Sequence, residues 1–188
     1  MSNFGISRDR ALELLREHVK TENTIKHMRA TEAIMRALAR KFNQNEDEWG
    51  MAGLLHDIDV ELVSNNMEQH SRLASQLVKN MGVSDEIAHA ILTHNEAHGE
   101  PLQTMMDKAL FCADPLTGLI TAGALVRPDR KLAGVEAKSI KKRFKEKSFA
   151  AGASREQMST CSNIGLDLDT FIELGLEAMK GVAGDLGL

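Results

Sequence analysis

Apolar residues recur along this chain at three- and four-residue intervals almost from end to end, the period of helices that bury one face. The spacing predicts a first helix over about residues 7–20. A second is predicted from about Thr24 to Lys41, carrying Ile25, Met28, Ile34 and Leu38. A third begins near Asn45, where Glu46, Asp47 and Glu48 suit the positive end of a helix dipole, and it ends around Asp57. A fourth covers about Glu68 to Met81 and stops at Gly82. A fifth starts at Ser84, a good N-cap, and runs to about His94. Residues 95–101 read as a loop. A sixth helix leads to Asp114, and Pro115 suits the first turn of a seventh that ends before Arg127 and Pro128.

Beyond Pro128 the pattern changes to a basic stretch with Lys138, Lys141, Lys142, Arg143, Lys145 and Lys147. Ser154 with Gln157 has the form of a capping box, and a last amphipathic helix covers about Leu168 to Ala183. The reading is one all-α domain: a helical core over residues 1–128, and a helical extension over 129–188 packed on it.

Composition narrows the class. A chain of 188 residues can bury a sizeable core without staples. The formal net charge of -4 gives no overall attraction to nucleic acid or anionic lipid. Cys112 and Cys161 lack CxxC spacing, so neither a disulfide framework nor a thiolate metal site is expected. The first residues carry no basic head followed by an apolar run, and no apolar stretch is long enough for a bilayer. The expectation is a cytoplasmic protein without a membrane partner.

The histidines carry the chemistry. On helical spacing His27 shares a face with Thr31, Ile34 and Leu38, and His56 with Trp49, Ala52 and Gly53. His70 lines up with Leu73, Ala74, Leu77 and Met81, His94 with Ile87, Ala90 and Ile91, and Asp114 with Leu110 and Phe111. One imidazole on an apolar face is usually a hydrogen-bonded core residue. Five helices that each place an imidazole or carboxylate there point to a shared divalent cation, which compensates all of them at once. Imidazole and carboxylate donors suit iron, manganese, zinc, cobalt or nickel. His56 and Asp57 are adjacent, so both reach one centre only if their helix ends there. Asp57 has the two oxygens needed to bridge two cations.

The ordered set of His27, His56-Asp57 in GLLHDID and Asp114 in LFCADPLTGL resembles the signature of the HD superfamily of metal-dependent phosphohydrolases. That resemblance covers roughly residues 20–120. The whole chain further resembles a family of HD hydrolases of unassigned substrate, in stretches such as ILTHNEAHG and KSIKKRFKEKSFAAGASRE. It implies an all-α HD bundle and hydrolysis of a phosphate ester, often a nucleotide, by a metal-activated water. It also implies His27, His56, Asp57 and Asp114 as ligands of one divalent cation, with His70 and His94 holding a second cation or acting on the substrate phosphate. The chain departs from the HD-GYP subgroup, since Asn95 follows His94 and GYP is missing, and it lacks the KH module of the HD ribonucleases.

Other residues are weighed beside these. Asp59 is read as orienting a ligand histidine, as a base, or as a helix-ending surface residue, and Glu61 is a weaker candidate. Lys138, Lys141, Lys142 and Lys145 share one helical face, read either as gathering substrate phosphate or as merely solvated. Arg127 and Arg155 are lone phosphate candidates. His89 is read as surface, His98 as a loop residue, His18 as structural, and Met105 and Met106 as core. Two rivals share parts of this picture: a di-iron oxygenase-type HD protein, and a non-catalytic nucleotide-binding helical module. With one tryptophan and no tyrosine there is no stacking platform, so a nucleic-acid partner is not expected. A homodimer is compatible with the sequence but not required by it.

Overall fold

The structure, a computed structural model, describes residues 4–64 and 66–188, and the elements of that part are helices without strands. In chain order they are α1 (Arg8–His18), α2 (Glu22–Lys41), α3 (Glu46–Leu55), α4 (Arg72–Asn80), α5 (Asp85–Thr93) and α6 (Met105–Leu125). The remaining ones are α7 (Ala137–Phe144), α8 (Arg155–Ser159), α9 (Leu168–Gly181) and α10 (Ala183–Leu186). Ser7, Asn45, Ser84, Ser154 and Asp167 cap α1, α3, α5, α8 and α9 by accepting from backbone N–H groups of the first turn.

The long helices α2 and α6 form the centre. Helix α2 packs on α3, α6 and α9, and α6 packs on α5, α7 and α8. Gly53 sets how closely α3 approaches α2: a Cβ there would lie 2.8 Å from Glu32 N and from Thr31 O. Only a glycine lets the two backbones meet, and that contact brings the end of α3 to His27. Apolar residues from α1 through α10 form one continuous core, so residues 129–188 share it with the N-terminal helices. Among the described residues no helix is long and apolar enough to cross a membrane.

Three expectations are corrected. The expected break at Pro115 is absent, because α6 runs unbroken through it. An interior proline costs roughly 3 kcal/mol. Here Leu110, Cys112, Ala113, Leu116, Leu119 and Ile120 are all fully buried along the same helix, and this burial outweighs the loss. The expected first turn of the fourth helix is not helical. Residues 67–71 form turns, and Ser71 takes φ 66° before α4 begins. Met105 is 44% exposed and fills no core, unlike buried Met106.

Candidate metal centre

Helix ends, turns and the bodies of two long helices bring the six candidate ligands together. His56 is the C-cap of α3 and His94 the C-cap of α5, so both rings project past the last turn. Asp57 follows in the turn after α3, and His70 lies in the turn before α4. His27 and Asp114 come from the bodies of α2 and α6. The ending of α3 is what lets His56 and Asp57, adjacent in sequence, face one point.

The distances divide the cluster into two halves joined by Asp57. Asp57 Oδ2 lies 3.5 Å from both His27 Nε2 and His56 Nε2. Asp57 Oδ1 lies 3.3 Å from His70 Nε2 and 3.5 Å from His94 Nε2. Asp114 Oδ1 closes the first half, 3.0 Å from His27 Nε2 and 3.6 Å from His56 Nε2. Three donor sets each lie within 4.8 Å: His27, His56 and Asp57; His56, His94 and Asp114; Asp57, His70 and His94.

Every imidazole is oriented through its far nitrogen. His56 Nδ1 donates to Gly53 O at 2.9 Å, and His94 Nδ1 to Ile91 O at 2.6 Å. His70 Nδ1 donates to Asp59 Oδ1 at 2.8 Å. The Thr117 hydroxyl donates to Asp114 O at 2.7 Å, so it accepts from His27 Nδ1 at 2.8 Å. With each Nδ1 carrying the proton, all four Nε2 lone pairs point inward. His27 Nε2 and His56 Nε2 stand only 3.1 Å apart, two acceptors face to face. A divalent cation, or protons in its stead, answers that repulsion. The donor set therefore fits a metal.

The electrostatics carry the same signature. Burial disfavours a charged His56, but Asp57 and Asp114 overcome it and raise the ring to about 9. Burial likewise opposes charge on His70, and its bonds to Asp57 and Asp59 raise it to about 10. Burial pushes both partner carboxyls up. His56 and His70 outweigh this at Asp57, and His27 and His56 at Asp114, holding both well below the usual range. Without metal the site thus holds protons at neutral pH, and a cation must displace them. Cation affinity is expected to rise from pH 6.5 toward 9, with proton release on binding. Calorimetry in buffers of different ionisation enthalpy measures this, and an affinity independent of pH would contradict it. The stability of the metal-free protein runs the other way. The contribution of His56 and His70 is complete below about 6.5 and is lost as pH rises through 9 and 10.

Other sequence candidates land elsewhere. Asp59 is fully buried, not on the surface. Besides His70 it accepts from Ser71 N at 2.9 Å and Ala74 N at 2.8 Å. Its contacts are those of a positioning group. Glu61 accepts from Lys20 N and Thr21 N and ties down the chain between α1 and α2. Lys141 pairs with Glu173 at 2.8 Å and Asp169 at 3.4 Å on α9, so that part of the basic face braces the extension. Lys142 and Lys145 are exposed and line neither cavity beside His27. The Arg155 guanidinium donates to the carbonyls of Ala150 and Ala153, both at 2.7 Å, and of Phe149. It holds that loop, which leaves it no free face for phosphate. Arg127 forms a two-point pair with Asp129.

Three contacts escaped the sequence reading. Thr117 was not singled out, although it stands one helical turn past Asp114. His89 is not a free surface residue: its Nδ1 lies 3.0 Å from fully buried Asp107 Oδ2. His98 Nε2 donates to His70 O at 2.6 Å and Asn95 Nδ2 to the same oxygen at 3.1 Å, so the loop after α5 braces the turn that holds His70.

Comparison with known proteins gives these contacts a family. The HD-domain family model matches residues 24–143, past the boundary expected at residue 128. Ribonuclease Y of Syntrophobacter fumaroxidans is 31% identical over 98 residues, 52% of this chain and 18% of that protein. Ribonuclease Y of Lawsonia intracellularis is 29% identical over 98 residues, 52% of this chain and 19% of that protein. The chain thus matches less than a fifth of the length of these relatives. No solved structure matches it. The matched span contains all six clustered histidines and aspartates, and the chain belongs to the HD-domain family.

Proposed function

We propose that this protein is a metal-dependent phosphohydrolase whose centre would hold two divalent cations, with Asp57 contributing an oxygen to each half. The observation that carries this reading is the division of labour between the Asp57 oxygens. Oδ2 faces His27 and His56, and Oδ1 faces His70 and His94. His27, His56, Asp57 and Asp114 would hold one cation, and Asp57, His70 and His94 the other. Iron, manganese, zinc, cobalt and nickel suit these donors. Such cations supply Lewis acidity and lower the pKa of water, which is the chemistry phosphate-ester hydrolysis requires.

The chain's own residues then have defined tasks. Thr117 holds His27, and Asp59 holds His70, each with its Nε2 directed inward. His56 is fully buried, whereas the Asp114 side chain keeps 26% of its surface, so substrate approaches from the Asp114 side. In this reading His70 and His94 are ligands and do not act as proton donors, and Asp59 is too enclosed to serve as a base. The named ribonuclease relatives favour a phosphodiester over a monoester substrate.

The test is elemental analysis of the purified protein beside His56→Ala, followed by assays on bis(p-nitrophenyl) phosphate and p-nitrophenyl phosphate. Near two equivalents of metal, reduced in the variant, with oxygen-independent release from the diester, is the expected result. Absence of metal after incubation with each candidate cation would end the hydrolase reading. Strict dependence on oxygen would favour the oxygenase chemistry instead.

A further inference from the structure

A cavity of about 480 Å³ opens beside the cluster, within the size range of small-molecule sites. His27 forms part of its wall, and so does Gly118, one helical turn past Asp114. A smaller cavity of about 170 Å³ is lined by His27, Asp114 and Gly118 as well. The two cavities share His27 and Gly118 as walls, so the larger one adjoins the open side of the centre. Leu125 and Leu186 give it an apolar wall, and no aspartate or glutamate side chain lines it.

Two cations face this space, Lys26 from α2 and Arg130 from the turn after α6. Neither has an ion-pair or side-chain hydrogen-bond partner among the described residues. That sets them apart from Arg8, Arg29, Arg36 and Lys141, which all pair with carboxylates, and from Arg155, held by carbonyls. Two cations without ion-pair partners, beside an apolar wall with no aspartate or glutamate side chain among the described lining residues, suit an organic anion. The reacting phosphate belongs at the histidine–aspartate cluster, so these cations are available for something else on the same molecule.

We propose that this cavity receives the organic part of the substrate, and that Lys26 and Arg130 bind a second anionic group on it. This rests on the hydrolase reading above and narrows it. The substrate class is a phosphate ester carrying a further phosphate or carboxylate remote from the scissile bond. An arginine fork suits either group in a two-point contact, while a lysine acts as a point charge.

The test uses manganese-loaded protein and binding measured by thermal shift and calorimetry. The probes are adenosine 5′-phosphate, adenosine 3′,5′-bisphosphate, phenyl phosphate, 4-carboxyphenyl phosphate and inorganic phosphate. The wild type should prefer at least one probe with two anionic groups over its partner with one by about tenfold, the scale of one charged hydrogen bond. Which pair shows the preference tells a second phosphate from a carboxylate. In the double variant Lys26→Gln/Arg130→Asn the preference should fall to about one, with metal content intact. Asparagine is chosen because Arg130 holds φ 51°, a region asparagine enters readily. Exposed Lys41→Gln is the control and should keep the preference.

Gly118→Leu supplies an independent arm. A Cβ at Gly118 meets Ala153 Cβ at 3.7 Å, an ordinary contact, so a side chain there is expected to fit and to extend into the space that Gly118 lines. It should weaken the adenosine probes while inorganic phosphate still binds. Equal binding of both members of each pair by the wild type, or a preference surviving in the double variant, overturns the proposal. Failure to take up metal removes the hydrolase reading and this one together. Metal uptake without any preference removes this one alone.

Discussion

Asp57→Ala is expected to leave the centre without its full metal complement and to lower phosphate-ester hydrolysis by at least about a thousandfold, the upper scale for losing one preorganised charge contact at a reacting centre. Among the described residues Asp57 is the carboxylate with ion-pair contacts to imidazoles of both halves. The ion-pair contacts of Asp114 are to His27 and His56, with His94 farther off but within 4.8 Å, and each imidazole presents one inward nitrogen. Removing Asp57 leaves four inward Nε2 atoms with a single carboxylate at one end. If the centre holds two divalent cations, the remaining donors would offset less of their charge, and the carboxylate in ion-pair contact with both halves would be gone. The fold should survive, because the recorded partners of the Asp57 carboxylate are imidazoles and no backbone N–H loses its acceptor. Asp57→Glu tests position against charge: it keeps the carboxylate but moves it by about one bond, a displacement that can cost about a hundredfold. Elemental analysis, circular dichroism and diester turnover on the same preparations separate these effects. Full activity in Asp57→Ala, or an unchanged metal content, would remove the bridging role.

Much of this centre was legible because imidazoles on apolar helical faces violate the binary pattern, and the violations recur on successive helices. Periodicity located the helices well where their ends carry strong signals, as at Asn45 and Ser84. It failed where tertiary burial outweighed a local preference. Pro115 looks like a helix start on local grounds, yet fully buried neighbours on both sides carry α6 through it. His70 fitted a helical face by spacing but sits in a turn whose geometry depends on Asp59, Asn95 and His98, none of which periodicity relates to it. Charge was the least readable signal. The lysines around residue 141 and the lone Arg155 were both phosphate candidates, and only the contacts show Lys141 bound to α9 and Arg155 bound to carbonyls. The cations without an ion-pair partner that line the cavity beside His27 are Lys26 and Arg130, which no charge run marks. Which cation is free depends on what folds against it, and that is a long-range property.

Asp59 carries the second large effect, and its two variants should fail in different ways. The carboxylate is fully buried and accepts from His70 Nδ1, Ser71 N and Ala74 N. Asp59→Ala leaves those donors without an acceptor in a closed space, at a cost of about 3–5 kcal/mol. For a chain of this length that lowers the melting temperature by roughly 10 °C or more. It also frees the turn that carries His70, so metal affinity in that half should fall by about tenfold to a hundredfold. Asp59→Asn separates the two consequences. Its amide oxygen can keep both backbone donors, so most of the stability is retained. Its NH₂ then faces His70 Nδ1, which can accept that bond only by moving its own proton to Nε2. A proton on Nε2 removes the lone pair directed at Asp57. Asp59→Asn is therefore expected to melt close to the wild type yet bind about one equivalent of metal fewer. Nitrogen-15 spectra of the imidazoles, taken on metal-free protein at a pH above the His70 transition at about 10, report the tautomer directly. If Asp59→Asn keeps both metals and the Nδ1–H form of His70, the orienting bond has no part in building the site. The burial of Asp59 would then serve the fold alone.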